Sequence, residues 1–193
     1  MTQFFLVRHG ETEWNREGKY TGQTDIPLNR TGKMQAEEAA RQMASVQPDV
    51  IFSSDLIRAV ETAEIIARRI KIPIKKDERL REINQGEWEG MHVDEIKKKF
   101  HDLIVSRQTD PLNVAAPGGE TIGQVYERVY SALRDICRNY PNGKVVISAH
   151  GIVLSIVRII GGGIPVREVF EYIPENADVI RISIEKGCID ETT

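Results

Sequence analysis

Only two cysteines, Cys137 and Cys188, occur in the chain, and they form no paired motif. A disulfide framework and a zinc ribbon are therefore not expected, and a reducing compartment fits. Uninterrupted apolar stretches long enough to cross a bilayer are lacking, and the first residues show no charged–apolar–small leader pattern. A cytoplasmic location with no membrane partner is the expectation. Excess positive charge is missing too. The net charge is -3, which argues against a broad nucleic-acid footprint. Several signatures of phosphate and metal chemistry are also absent. There is no G-x-x-x-x-G-K-[ST], hence no P-loop. Gly161-Gly162-Gly163 follows a helical pattern rather than a strand, so it is not a dinucleotide fingerprint. Neither cysteine precedes an arginine at cysteine-phosphatase spacing. No H-E-x-x-H and no Asp/His cluster at ligand spacing occurs, so neither a metal nor a cofactor is expected.

What is present suits one α/β domain over residues 1–193, with a hydrophobic content of 40%. Phe4-Phe5-Leu6-Val7 is wholly apolar, as an interior parallel strand is, and it ends at Arg8-His9-Gly10. The same grammar returns where Val145-Val146-Ile147 leads through Ser148 and Ala149 into His150-Gly151. Residues 11–30 read as a polar loop. Thr31 is placed to cap a helix reaching about Ser45, with Met34, Ala39, Ala40 and Met43 on its apolar face. Val50-Ile51-Phe52 reads as a strand, and Leu56 to Ile70 as a helix with Arg58 in its first turn. A cation there opposes the helix dipole, unless Arg58 and the helix N-terminus share an anion. Ile72 to Ile74 reads as a short strand and 79–91 as an acidic loop. A charged helix follows near Asp94 to Phe100. Residues 101–119 are weakly patterned, and about 91–119 is expected to form a lid-like excursion. Thr121 opens a capping-box helix, Lys144 to Ser148 is a strand, and Ile152 to Ile160 a helix stopped by the glycines. Val179 to Ile184 is a last strand, with a hairpin turn at Lys186-Gly187. Strands alternating with helices predict a mainly parallel, sandwiched sheet, whose sites lie beyond the strand carboxyl ends.

Arg8-His9, Arg58 and His150 all fall at that edge. A transferring phosphoryl group spreads charge over its oxygens, and arginine forks grip such oxygens bidentately. His9, unprotonated on one ring nitrogen, is suited to attack phosphorus in line. His150 is suited to stabilise the charge, and Gly10 and Gly151 to let backbone approach the anion. A carboxyl group of the acidic loop, Glu82 first and Glu11 in reserve, is placed to protonate the leaving alkoxide. Taken singly, Arg8-His9-Gly10 is also what an ordinary strand end gives, Arg58 a solvated helix residue and Glu82 a loop charge. Their convergence at one edge carries the functional reading. His92, His101 and Lys97-Lys98-Lys99 read as solvated.

Leu6-Val7-Arg8-His9-Gly10-Glu11-Thr12-Glu13-Trp14-Asn15 closely resembles the signature of the histidine phosphatase superfamily, the phosphoglycerate mutase-like proteins. The resemblance continues through 22–28, Thr31-Gly32, Ser53 to Ala59, Glu61-Thr62-Ala63, Leu80-Arg81-Glu82 with Gly86 and Glu89-Gly90, Gly118 to Thr121 and Ala149-His150-Gly151. It implies a three-layer α/β/α fold and no required metal. It also implies phosphorylation of His9, a phosphate pocket completed by Arg8, Arg58 and His150, and Glu82 as proton donor. Asn15, Thr21 and Gly22 fall at positions that line the family's substrate site. Asn84-Gln85 departs from the acidic or aromatic residues common there, which alters the pocket near Glu82. The segment from Met91 to Pro117 lacks the longer basic insertion of the cofactor-dependent mutases. Within the family, the chain is most similar to small bacterial broad-specificity and α-ribazole-phosphate phosphatases. The expectation is therefore a phosphatase acting on a small phosphorylated metabolite, with a mutase as the alternative and a non-catalytic phospho-ligand-binding protein a weaker third.

Overall fold

A computed structural model of the protein describes residues 1–185. Five strands, β1 (Thr2–Arg8), β2 (Val50–Ser53), β3 (Ile74–Lys76), β4 (Lys144–Ala149) and β5 (Val179–Ile184), form one sheet in the order β3-β2-β4-β1-β5. All neighbours run parallel except β5, which closes the edge antiparallel to β1. The helices are α1 (Glu13–Arg16), α2 (Arg30–Ala44), α3 (Ile57–Ile70), α4 (Val93–Lys99), α5 (His101–Thr109), α6 (Ile122–Asn139) and α7 (Gly151–Gly162).

The apolar runs divide between two faces, because successive strand side chains point to opposite sides. Phe4, Leu6, Val145 and Ile147 pack against α6 and α7 through Val129, Leu133, Val153 and Ile156. Phe5, Val7, Ile51 and Val146 pack on the other side against Ala39, Ala40 and Met43 of α2 and Ala63 and Ile66 of α3. The result is the expected α/β/α sandwich. The register aligns the strand ends, with Arg8 opposite Ala149 and Ser53 opposite Ser148. His9 and His150 therefore emerge side by side.

Local readings differ in several places. Asn29, not Thr31, caps α2, its side chain accepting from Gly32 N–H. Met34 is 66% exposed, and Ala36 takes the buried position. The third strand is Ile74–Lys76 rather than 72–74, set by pairing with Ile51–Ser53. The 11–30 loop contains α1, which Thr12 caps reciprocally with Asn15. Gly161 and Gly162 belong to α7, and only Gly163, at φ 62°, ends it. The stretch 101–119 holds α5, which joins a third cluster of Trp88, Ile96 and Ala116 with Tyr20, Phe100, Leu103 and Ile104 around it. The turn read at Lys186-Gly187 lies outside the described residues.

Candidate phosphoryl-binding site

The site begins with the His9 ring. Its Nδ1 lies 2.7 Å from the carbonyl oxygen of Gly10. A carbonyl only accepts, so Nδ1 carries the proton and Nε2 keeps its lone pair. Burial holds the imidazole well below its ordinary pKa, and Arg58 and Arg8 lower it further. His9 is thus a neutral base among cations. Its backbone is held as well: His9 N–H donates to Ala149, and the Asn176 amide donates to the His9 carbonyl at 2.9 Å.

His150 is fully buried and caps α7, its ring centroid 5.2 Å from that of His9. Its Nε2 pairs with the Ser54 hydroxyl at 2.9 Å, whereas Nδ1 is buried without a protein partner. Burial, then Arg58 and His9, keep it neutral too.

Arg58 is 1% exposed, and burial lowers its pKa to about 10. One terminal nitrogen donates to the Gly22 carbonyl at 2.6 Å and the other to the Thr24 carbonyl at 2.9 Å. The N-terminus of α3 is already occupied, since Ile57 N–H donates to the Asp25 carboxylate at 2.6 Å. The same carboxylate acts favourably on the Arg58 charge, so the anion shared between Arg58 and that helix end is Asp25 of the chain itself. Loop carbonyls take the two terminal nitrogens directly. Arg8 is anchored by a 2.6 Å bond to the Pro174 carbonyl, and its Nε has no protein partner.

Glu82 accepts from Ile83 N–H at 2.9 Å and, more weakly, from Ile152 N–H in the first turn of α7 at 3.3 Å. Its own carbonyl is gripped by Arg128 and Gln23. The reserve carboxylate, Glu11, is tied to Asn29 at 2.7 Å and does not reach the cavity.

Arg8, His9, Asn15, Thr21, Gly22, Arg58 and Glu82 line one cavity of about 160 Å3, together with Lys19 and Gln85. Asn15 Oδ1 is occupied by Thr12, which leaves its NH2 group as the end it can offer. The Thr21 hydroxyl is buried without a protein partner. Gly151 lines an adjoining pocket, where an added Cβ would come 3.0 Å from Ile173 and 3.8 Å from the Arg8 guanidinium carbon. Gly10 has another reason to be glycine. Its Cβ would fall 2.2 Å from the Gly32 carbonyl oxygen, and its N–H already donates to Thr62. It seats the turn on α2 and fixes the His9 ring, and its amide does not face an anion.

Lys19, Arg107 and Asn176 carry no sequence signal, whereas Gln85, marked as a departure from the family pattern near Glu82, does line both pockets. Glu89 stood only inside a motif, and Asn176 lies in an unpatterned stretch. Among the described residues no group of three or more metal-ligating side chains converges, and no helix is long and apolar enough to cross a membrane.

Fold and site together define an α/β protein with a small cationic cavity, at the carboxyl edge of its sheet, that presents a neutral histidine. The model of the histidine phosphatase superfamily (branch 1) matches residues 4–191. A phosphatase of Bacillus subtilis, PhoE, is 39% identical over 166 residues, 86% of this chain and 80% of its own. The probable phosphoglycerate mutase GpmB of Escherichia coli is 38% identical over 155 residues, 80% of this chain and 72% of its own. The solved structure of Bacillus stearothermophilus YhfR superposes with a TM-score of 0.88 at 32% identity, covering 97% of this chain and 93% of that one. The chain belongs to the histidine phosphatase superfamily.

Proposed function

We propose that this protein is a single-domain phosphatase that hydrolyses small phosphomonoesters through a phosphohistidine on His9. One observation carries the reading: the Nδ1–H bond to Gly10 leaves the His9 Nε2 lone pair directed away from that carbonyl, beside two arginines. In the first step Nε2 attacks phosphorus, the P–O bond to the alcohol breaks, and Glu82 protonates the departing alkoxide. In the second, water attacks the phosphohistidine, its proton passes to Glu82, and inorganic phosphate leaves. Arg8, Arg58, the Asn15 amide and the Thr21 hydroxyl would hold the phosphoryl oxygens with the Gly22 backbone beside them. His150 would support the charge that builds on them. Residues 91–119 would cover the cavity from the side of Tyr20. A cytoplasmic place of action is supported by the sparse, unpaired cysteines.

Rapid alkaline quenching with a labelled phosphomonoester tests this, because a phosphoramidate survives base and not acid. Label on the wild type, none on His9→Ala and slower labelling of His150→Ala are expected. Label retained in His9→Ala would overturn the assignment. The likeness to GpmB keeps a mutase as the second reading. Transfer of the label to a sugar acid in preference to water would establish it.

A further inference from the structure

Arg107 of α5 is a buried cation that the mechanism above does not use. It is 5% exposed, and among the described residues it forms no ion pair. One terminal nitrogen donates to Gln85 Oε1 at 2.9 Å, a neutral acceptor, and the guanidinium lies over the Trp88 ring at 5.4 Å. Its Nε has no protein partner. Burial lowers its pKa, and only Tyr20 and Glu82 pull the other way. Stacking on Trp88 accounts for the face of the group but leaves most of its N–H edge unused. A guanidinium removed from water without a counter-charge is costly. That cost is relieved if the counter-charge arrives with a ligand.

The space for such a ligand adjoins the phosphoryl cavity. A pocket of about 230 Å3 is lined by Arg107, Tyr20, Ile152, Phe170 and Ile173, and it shares Arg8, Glu82 and Gln85 with the first cavity. Because the two spaces share Arg8, Glu82 and Gln85, an alcohol bonded to a phosphoryl group in the first cavity would extend past Glu82 into the second. Away from the shared border with the first cavity its walls are apolar except for Arg107, the one guanidinium there besides the shared Arg8. One guanidinium matches one planar oxyanion of single charge.

Resting on the phosphatase reading, we propose that Arg107 is a specificity-determining residue that binds a carboxylate on the leaving alcohol, so that the preferred substrates are phosphate esters of hydroxy acids with a flat or hydrocarbon skeleton. Gln85 holds the guanidinium toward the pocket and faces both cavities. Tyr20, Phe170 and Ile173 enclose the skeleton.

Matched aryl esters provide the test: 3- and 4-carboxyphenyl phosphate against 3- and 4-carbamoylphenyl phosphate, which differ in charge but little in shape. The wild type is expected to favour a carboxylate over its amide at least about tenfold in kcat/KM, mainly through KM. Arg107→Met should bring that ratio to about one, and Arg107→Lys should keep part of it. The ratio is internal to each variant, so an overall loss of activity does not imitate the effect. Should Arg107→Met fail to melt cooperatively, Arg107→Lys and the wild-type ratio still decide. Equal use of acid and amide by the wild type, or an undiminished preference in Arg107→Met, overturns the proposal. If no phosphate ester is turned over, the phosphatase reading fails instead. Calorimetric binding of 4-hydroxybenzoate against 4-hydroxybenzamide, with saturating inorganic phosphate, then reads the same preference without turnover. Equal binding there also overturns it.

Discussion

Glu89 orients Arg58 without forming an ion pair with it. The carboxylate accepts from Gln23 N–H at 2.9 Å and Thr24 N–H at 3.0 Å, and also from the Thr24 hydroxyl. The same short loop turns its Gly22 and Thr24 carbonyls onto the two ends of the Arg58 fork. Glu89 also takes Gln85 N–H at 3.1 Å. One acidic side chain therefore sets both the phosphate-side arginine and the wall between the two pockets.

Glu89→Gln is expected to lower both kcat and the melting temperature. A neutral amide gives up charge-assisted bonds that are each worth roughly 1.5–3 kcal/mol and turns an NH2 group toward N–H donors. A lower melting temperature with unchanged kcat would show that the loop does not position Arg58.

Arg58→Lys is expected to keep the fold and lose rate. A single ammonium cannot bridge two carbonyls and still present a fork to a phosphoryl group. Removing a well-placed transition-state donor costs about 3 kcal/mol, roughly two orders of magnitude in kcat. Single-turnover kinetics checks this, and an unchanged rate would place Arg58 outside the chemistry.

For Glu82→Gln the expected signature is selective. Alkyl phosphates, whose alkoxide needs a proton, should slow more than aryl phosphates. A linear free-energy plot against leaving-group pKa should steepen in the variant. Parallel lines would assign Glu82 a structural role, with its bonds to Ile83 and Ile152 as the reason.

Turnover should survive exhaustive EDTA treatment, because the Arg8 and Arg58 guanidiniums supply the charge that a divalent ion supplies elsewhere. Loss of activity restored by a divalent ion would displace this mechanism.

Stability should depend on pH through the two buried histidines. His9 and His150 are both held neutral, with native pKa values well below the ordinary 6.5. Below about pH 6.5 the unfolded chain binds protons that the native state refuses. Stability therefore falls as pH drops through that value, by about 1.4 kcal/mol per pH unit for each histidine until its native pKa is reached. Urea midpoints between pH 7.5 and 5, in a buffer free of phosphate and sulfate, give the slope. His150→Asn should remove one histidine's share of it, and an unaltered slope would mean that His150 is charged in the fold.

Much of this was legible in the chain, for physical reasons that also mark where legibility stops. The runs at Phe4–Val7 and Val145–Ile147 disclosed buried parallel strands, because both faces of such a strand are covered. Arg58 drew attention by opposing a helix dipole, and its charge is met both by the Asp25 carboxylate on the helix end and by carbonyls of a distant loop that no local pattern discloses. Met34 kept the helical period and still faces solvent, since α2 buries small residues against α3. Arg107 had no signal at all. The residue that α5 buries is charged, so its pattern resembles that of a surface segment. Asn176 and Pro174 reach His9 and Arg8 through contacts with no local grammar.

The pairing of β1 with β4 also has a temporal side. His9 is synthesised well before His150 and the strand that carries it, which lie far downstream in the sequence. At ~5–20 residues per second, the interval is on the order of ten seconds. Throughout it the nascent polypeptide carries the His9 imidazole without the β4 strand that flanks β1 in the fold. The capacity for chemistry is thus acquired when long-range topology closes, and a stalled or prematurely terminated chain is inert for the same reason that it is unfolded.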